Sequence, residues 1–191
     1  MDLEDFEEKT LTRKDIFKGQ VIDVKLDEVA LPKNMGIANR ELVLHPGGVG
    51  MLALTENKEV IMVRQFRKAL EEVIYEIPAG KLEPGEKDNT KEAALRELEE
   101  ETGYMAENVE LISKFYTAPG FSDEIIYLYQ MTDLVKVVNP ASLDDDEFLE
   151  VETFSLDECK EMISEGKIVD GKTLIALQHL IISDLESRGS K

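Results

Sequence analysis

Ile22, Val24 and Leu26 alternate with Asp23, Lys25 and Asp27, a period of two that predicts a strand with one buried face across residues 16–31. Pro32, Asn34 and Gly36 then supply turn chemistry, and a second alternating strand follows over residues 40–45. This β element, residues 1–45, carries too little apolar surface to fold alone. It must pack on the main domain, on a second subunit, or on both. Pro46, Gly47 and Gly48 mark a boundary, and from residue 46 to 191 the pattern changes. Apolar strand candidates recur at 49–54, 60–65, 73–77, 109–117, 125–131 and 149–154. Between them a helix starts near Asn89 or Thr90, either of which can cap it, and stops at Gly103. Ser155 and Glu158 form a capping box for another helix, and residues 174–185 have helical periodicity. Strands interleaved with a few helices predict an α/β (α+β) domain, a mixed sheet sandwiched by helices, preceded by the small antiparallel element.

Composition narrows the partners. Asp and Glu number 41 against 22 Lys and Arg, a net charge of −19. Nucleic-acid binding through phosphate neutralisation needs clustered cations, so that class is excluded. A phosphate substrate is not, because divalent metals can supply positive charge. No apolar run is long enough to span a bilayer, and the acidic N-terminal stretch lacks the apolar core of a signal peptide. The single cysteine, Cys159, cannot form an internal disulfide and fits a reducing compartment, so a cytoplasmic location is expected. There is no His/Cys cluster for zinc and no nucleophile elbow.

The chemistry concentrates between Gly80 and Tyr104. Arg96, Glu97, Glu100 and Glu101 lie mid-helix, and residues three and four apart share a face, so Glu97 sits over both Glu100 and Glu101. Like charges so placed cost a helix roughly 0.2–0.5 kcal/mol per pair. Such a patch is either a solvated acidic face or the oxygen ligand set of a hard divalent cation, which reverses the sign of that term. Glu97 and Glu101, four apart, are the best ligand pair, and Glu100 joins them. Arg96 is placed to pair with one of the carboxylates and fix its rotamer, or to make a surface ion pair. A second acidic run, Asp144, Asp145, Asp146 and Glu147, precedes the strand at 149–154. It reads as a solvated loop or as an outside source of a general base.

The order Gly80, Glu86, Arg96-Glu97, Glu100-Glu101, Gly103 resembles the Nudix box of the Nudix hydrolases, which cleave nucleoside diphosphates linked to another group. The helix half matches at every specified position. Nine residues separate Glu86 from Arg96, two more than is usual in the family, and the extra pair lengthens the loop before the helix. The resemblance implies a Nudix α/β/α sandwich and Mg²⁺ as cofactor, with Mn²⁺ as substitute. The metal would be held by Glu97, Glu100, Glu101 and the backbone carbonyl of Ala79.

Further residues resemble the ADP-ribose pyrophosphatase branch. Pro119, sixteen residues after Gly103, stands where that branch carries a marker proline, although Pro119-Gly120 is also a plain turn. Glu76, leading through Ile77 and Pro78 to Gly80, is similar to the branch's approach to the box. Arg64 and Arg67 resemble its substrate-facing strand end, where an arginine fork can hold diphosphate oxygens. Arg67 is the better candidate, since Arg64 also fits a surface charge. The branch carries a base or extra metal ligand before a strand, a context that Glu147 matches best and Asp145 second. Catalytic roles therefore fall to Glu147, Glu100 and Arg96. Related enzymes share their N-terminal strands across a homodimer. That implies Phe17 stacking on adenine and Arg40 reaching the substrate from the partner, against default readings of a core phenylalanine and a surface arginine. The implied reaction is hydrolysis of ADP-ribose to AMP and ribose 5-phosphate. The same chemistry on a nucleotide sugar or dinucleotide, and a sensor that binds ADP-ribose without cleaving it, are the alternatives.

Overall fold

Residues 16–31, expected as one strand, belong to two. In the computed structural model, which describes residues 5–143 and 148–189, β1 (Lys9–Lys18) and β2 (Asp23–Ala30) run antiparallel. The chain reverses between them where the Gly19 amide donates to the Ile22 carbonyl at 2.9 Å. The alternation of Ile22 to Leu26 belongs to β2. β1 is exposed along its whole length, so it has no buried face for a period-two pattern to reveal. β3 (Ile37–Leu44) completes the sheet in the order β1-β2-β3. Asp27, only 2% exposed, accepts hydrogen bonds from Nε and Nη2 of its cross-strand partner Arg13, both at 2.7 Å. That bidentate fork ties β1 to β2. These strands and residues 116–125 form one compact unit; residues 48–115 and 126 onward form a second.

The second unit is built on β4 (Gly48–Ala53), buried at every position. It contains β5 (Val60–Arg67), β6 (Glu72–Glu76), β7 (Ala79–Lys81), α1 (Thr90–Thr102), most of β8 (Tyr104–Tyr116) and β9 (Ile125–Lys136), β10 (Leu149–Phe154), α2 (Leu156–Ser164) and α3 (Gly171–Gly189). One sheet has the order β7-β4-β9-β8, with β4 parallel to β9 and antiparallel to β7. A second, β10-β5-β6, is antiparallel throughout. The mixed sheet expected from sequence is therefore divided between two sheets.

A strand buried on both faces reads as a continuous apolar run, and β4 obeys that rule because helices cover both of its sides. Val49, Met51 and Ala53 join Ile61, Ala93, Ala94 and Leu98 in a core beneath α1. Leu52 and Leu54 join Val60, Met62, Cys159, Met162, Ala176 and Leu177 in a core beneath α2 and α3. The result is an α/β/α sandwich. Burial pushes the Cys159 thiol up to about 11, so it packs as a small apolar group.

The helix ends follow their signals, with one correction. Ser155 and Glu158 form the capping box: the Ser155 amide donates to Glu158 Oε2 at 2.8 Å, and the Glu158 amide donates to Ser155 Oγ at 3.3 Å. Gly103 ends α1 in the left-handed region at φ 72°, where only glycine sits without strain. Asn89 occupies the start of α1, yet no side chain caps it; the Thr90 hydroxyl instead bonds the Tyr129 hydroxyl at 2.7 Å. Packing, not capping, holds this helix. Among the described residues no helix is long and apolar enough to cross a membrane.

Leu98 is fully buried where α1 meets β4. Leu98→Ala should cost about 2–5 kcal/mol. In urea denaturation the midpoint should fall while the slope stays constant.

Candidate active site

β7 is three residues long because it leaves β4 almost as soon as it has paired, Ala79 facing Gly50 and Gly80 facing Val49. The chain then passes Gly85, at φ 97°, into a 3-10 turn over Glu86–Asp88, and α1 begins at Thr90. The long spacing between Glu86 and Arg96 is taken up in this turn, so Glu86 still reaches the helix. Glu86 Oε1 accepts from Arg96 Nε at 3.2 Å and Oε2 from Nη2 at 3.1 Å. Glu86 Oε2 also accepts from the Glu83 amide at 2.7 Å.

Arg96 is the hub. Besides Glu86, its Nη1 lies 2.7 Å from Glu100 Oε2 and 3.0 Å from Glu97 Oε1. Burial works against its charge, but the hydrogen bond to Glu86 and the charges of Glu97, Glu100 and Glu86 prevail and hold its pKa above the ordinary guanidinium value. Burial likewise opposes ionisation of Glu86. Its hydrogen bonds from Arg96 and from the Glu83 amide, with the Arg96 charge, hold it below the usual carboxylate range.

Glu97 and Glu101 reach the other way, onto β7. A Cβ built at Gly80 would fall inside the Glu97 carboxylate, so the glycine is a requirement of close approach. Glu101, 7% exposed, accepts the Ala79 amide on Oε2 at 2.9 Å. Glu97 and Glu101 thus meet the Ala79–Gly80 backbone, and carboxylate and carbonyl oxygens are the donor type that suits a hard divalent cation. Among the described residues no three acidic, His or Cys side chains already converge as ligands, because Arg96 draws Glu97 and Glu100 toward itself.

The two strand arginines stand on opposite faces of β5. Arg64 shares its face with Met62 and is held by Glu150, with Glu152 3.6 Å away. Arg67 shares its face with Ile61, which turns toward α1. Its Nε donates to Glu76 Oε2 at 2.6 Å. Glu76 is 3% exposed, and its other oxygen accepts from Lys172 Nζ at 2.5 Å. Asp170 Oδ1 lies 3.1 Å from the same ammonium. Asp170 Oδ2 accepts from the Thr173 amide at 2.9 Å and hydroxyl at 2.6 Å, and that hydroxyl accepts from the Ile77 amide at 2.9 Å. The start of α3 is thereby fastened to the segment that becomes β7.

Phe17, Arg40 and Pro119 belong to the first unit. Phe17 is 55% exposed on β1, not buried in a core. Arg40 is forked onto Glu8, Nε to Oε2 at 2.7 Å and Nη2 to Oε1 at 2.5 Å. Pro119 is exposed in a turn closed by the Phe121 and Ser122 amides on the Ala118 carbonyl, at 3.1 and 2.9 Å. Asp145 and Glu147 lie outside the described residues. The stem before them is described: the Ala141 amide donates to Glu99 Oε1 at 3.2 Å, and β10, just after them, packs on α1.

Comparison with known proteins gives this geometry a family. The model of the NUDIX domain matches residues 44–175. The chain belongs to the Nudix family. It is 49% identical over 179 residues to the methanol dehydrogenase activator of Bacillus methanolicus, covering 94% of this chain and 95% of that one. It is 44% identical over 182 residues to the ADP-ribose pyrophosphatase of Bacillus subtilis, covering 95% and 97%. It is 33% identical to the GDP-mannose pyrophosphatase of Cronobacter sakazakii, covering 70% and 72%. The crystal structure of an ADP compounds hydrolase shares the fold, with a TM-score of 0.79 at 21% identity over 96% of each chain.

The Nudix box is therefore assembled here in one piece, with Glu86 included despite its spacing. Lys172, Asp170 and Thr173 were not singled out from sequence. Two signals were there: residues 166–173 spell Gly-x-x-x-x-Gly-Lys-Thr, although a helix and not a strand precedes them, and a lysine stands in the first turn of a helix, where the macrodipole disfavours a cation and a buried partner is implied.

The Glu86–Arg96 contact has a pH signature. The folded pKa of Glu86 lies below its ordinary value of 4.5. Its stabilising contribution is therefore present above about pH 4.5 and lost as pH falls through the lowered value. Glu86→Gln should be less stable than the parent at pH 7, and the gap should close as pH falls below 4.5 and through the lowered pKa of Glu86. Denaturant midpoints across that range measure it; a gap independent of pH would contradict the assignment.

Proposed function

We propose that this Nudix protein hydrolyses ADP-ribose to AMP and ribose 5-phosphate with Mg²⁺, Mn²⁺ serving as a substitute. The observation that carries the reading is the seating of Glu97 and Glu101 on Gly80 and Ala79, with Glu100 beside them and Arg96 bracing the set. Relatives named ADP-ribose pyrophosphatase, at 44% identity and, in Mycobacterium tuberculosis, at 32%, support the substrate.

Glu97, Glu100, Glu101 and the Ala79 carbonyl would hold the cation, which when bound neutralises diphosphate charge and lowers the pKa of water. Arg96 keeps the helix carboxylates in fixed rotamers. Arg67 offers its fork to diphosphate oxygens, and Glu76 orients it. Glu147, or failing it Asp145, takes the proton from the attacking water as a new P–O bond forms and the bridging P–O bond breaks. The anchoring of Ala141 on Glu99 and the packing of β10 on α1 support this choice, since both flanks of the acidic run meet the box helix. Phe17 stacks on the adenine, Arg40 leaves Glu8 to reach the substrate from a partner subunit, and Pro119 is the residue that marks the ADP-ribose branch.

A second reading, the same cleavage of a nucleotide sugar, is favoured by the relative named GDP-mannose pyrophosphatase. A panel of nucleoside diphosphate compounds separates the two. With Mg²⁺ and ADP-ribose, AMP should be released, and EDTA should abolish release. Glu147→Gln should lower kcat by about 10²–10⁴-fold with little change in substrate affinity. ADP-ribose bound tightly but left intact in the presence of metal would make the protein a sensor instead.

We also infer a cytoplasmic homodimer with shared N-terminal strands and no nucleic-acid partner. β1 is exposed throughout, with Leu11, Ile16 and Phe17 each at least half exposed, and such a strip asks for cover. Sedimentation should give twice the chain mass of 21.6 kDa. Removal of residues 1–45 should yield monomers with weakened ADP-ribose binding and intact metal binding. A fully active monomer at micromolar concentration would rule the dimer out.

A further inference from the structure

We propose that Lys172 is a positioning residue that keeps the outer donors of Arg67 available for the diphosphate. The inference rests on the reading of Arg67 as a diphosphate ligand and adds what makes it one.

An arginine beside a carboxylate usually closes on it with two parallel N–H···O bonds. Arg40 does so with Glu8, and Arg13 with Asp27. Arg67 does not. Only its Nε reaches Glu76, at Oε2, and among the described residues no acceptor takes its Nη donors. The reason lies on the other oxygen. Glu76 Oε1 is already held by Lys172 Nζ at 2.5 Å. The carboxylate is 3% exposed and the ammonium side chain 12%, so neither partner can swing into solvent. An oxygen can accept twice, but with Oε1 drawn onto the ammonium only Oε2 meets the guanidinium, and the fork stays half closed. Arg67 is 39% exposed, anchored at Nε, with its Nη edge left for a ligand.

Lys172 is itself held for this task. It is the second residue of α3, an unfavourable place for a cation. Asp170 offsets that cost, standing 3.1 Å from Nζ and capping the helix through the Thr173 amide. Thr173 then takes the Ile77 amide, the residue after Glu76, which fixes the distance between α3 and the carboxylate. Ammonium, carboxylate and guanidinium thus form a chain with one end rooted in a helix and the other open.

Lys172→Met removes the competitor and keeps the apolar stem. Glu76 should then close on Arg67 with both oxygens. Two readouts follow. In the unliganded protein, modification of Arg67 by a 1,2-dicarbonyl reagent, followed by peptide mass spectrometry, should slow several-fold relative to other arginines. In turnover, KM for ADP-ribose should rise about 10- to 100-fold, the worth of one charge-assisted hydrogen bond, with kcat little changed. Lys172→Arg, which keeps a cation on Oε1, should restore both. Lys172→Met/Glu76→Gln, which weakens the pull on the fork, should recover Arg67 reactivity. If Lys172→Met lowers thermal stability but leaves Arg67 reactivity and KM unchanged, Lys172 is only a structural residue and the proposal is overturned. If the parent protein does not cleave ADP-ribose, the functional reading fails, while the modification experiment still decides the role of Lys172. Should Lys172→Met not fold, Asp170→Asn, which loosens the ammonium from its helix, must slow Arg67 modification in the same direction or the idea falls.

Discussion

Glu86, Glu97 and Glu100 repel one another, and a single guanidinium is what allows them to share a corner of the fold. Arg96 touches all three and lies partly out of water, where each contact counts for more than on an open surface. Remove it, and three carboxylates face each other across a loop and one helical turn. The arrangement holds only while α1 stays fixed above β7, because Glu97 must lie on a glycine and Glu101 must accept an amide from the next residue back. Electrostatics at the site and packing beneath it are therefore one constraint. Leu98, one residue from Glu97, faces the core that sets the height of the helix.

The same dependence explains why β4 tolerates no polar residue. It is the strand on which β7 pairs, α1 packs and β9 runs in parallel. A shift of one residue would exchange Met51 for Leu52 between the two cores and carry Gly80 out from under Glu97. Burial on both faces fixes that register, and the register places Ala79 and Gly80 against Glu101 and Glu97. The surface chemistry is precise because the strand below it has no freedom to slip.

Much of this could be read from the chain, and what could not has a physical explanation. The box helix was legible because helical spacing turns Glu97, Glu100 and Glu101 into neighbours without any knowledge of the fold. The capping box at Ser155 and the stop at Gly103 were legible for the same reason: each is a local bond between residues close in sequence. β1 was misjudged because an exposed strand leaves no period of two. The reach of Glu86 depended on how a loop folds its extra residues into a 3-10 turn, which spacing alone does not state. The tie between Lys172 and Glu76 was hidden by the 96 residues that separate them. Which arginine of β5 turns toward α1 became plain only once strand pairing assigned Arg64 and Arg67 to opposite faces.

Arg96 and Arg67 show how one side-chain type is put to two uses by counting acceptor oxygens. Around Arg96 carboxylates are plentiful: three residues share one guanidinium, and each of its three nitrogens is engaged. Around Arg67 the arrangement is the opposite, because a lysine draws one oxygen of Glu76 away from the fork and only Nε is met. A saturated arginine is a brace; it fixes rotamers and has nothing left to give. A half-satisfied arginine is a receptor, since its remaining donors gain most when an anion arrives. The chain carries a net charge of −19, so carboxylates able to close on any free guanidinium are abundant. In such a protein an arginine stays open to a phosphate only where the fold prevents its own acids from taking it, and the rooted ammonium of Lys172 provides that protection.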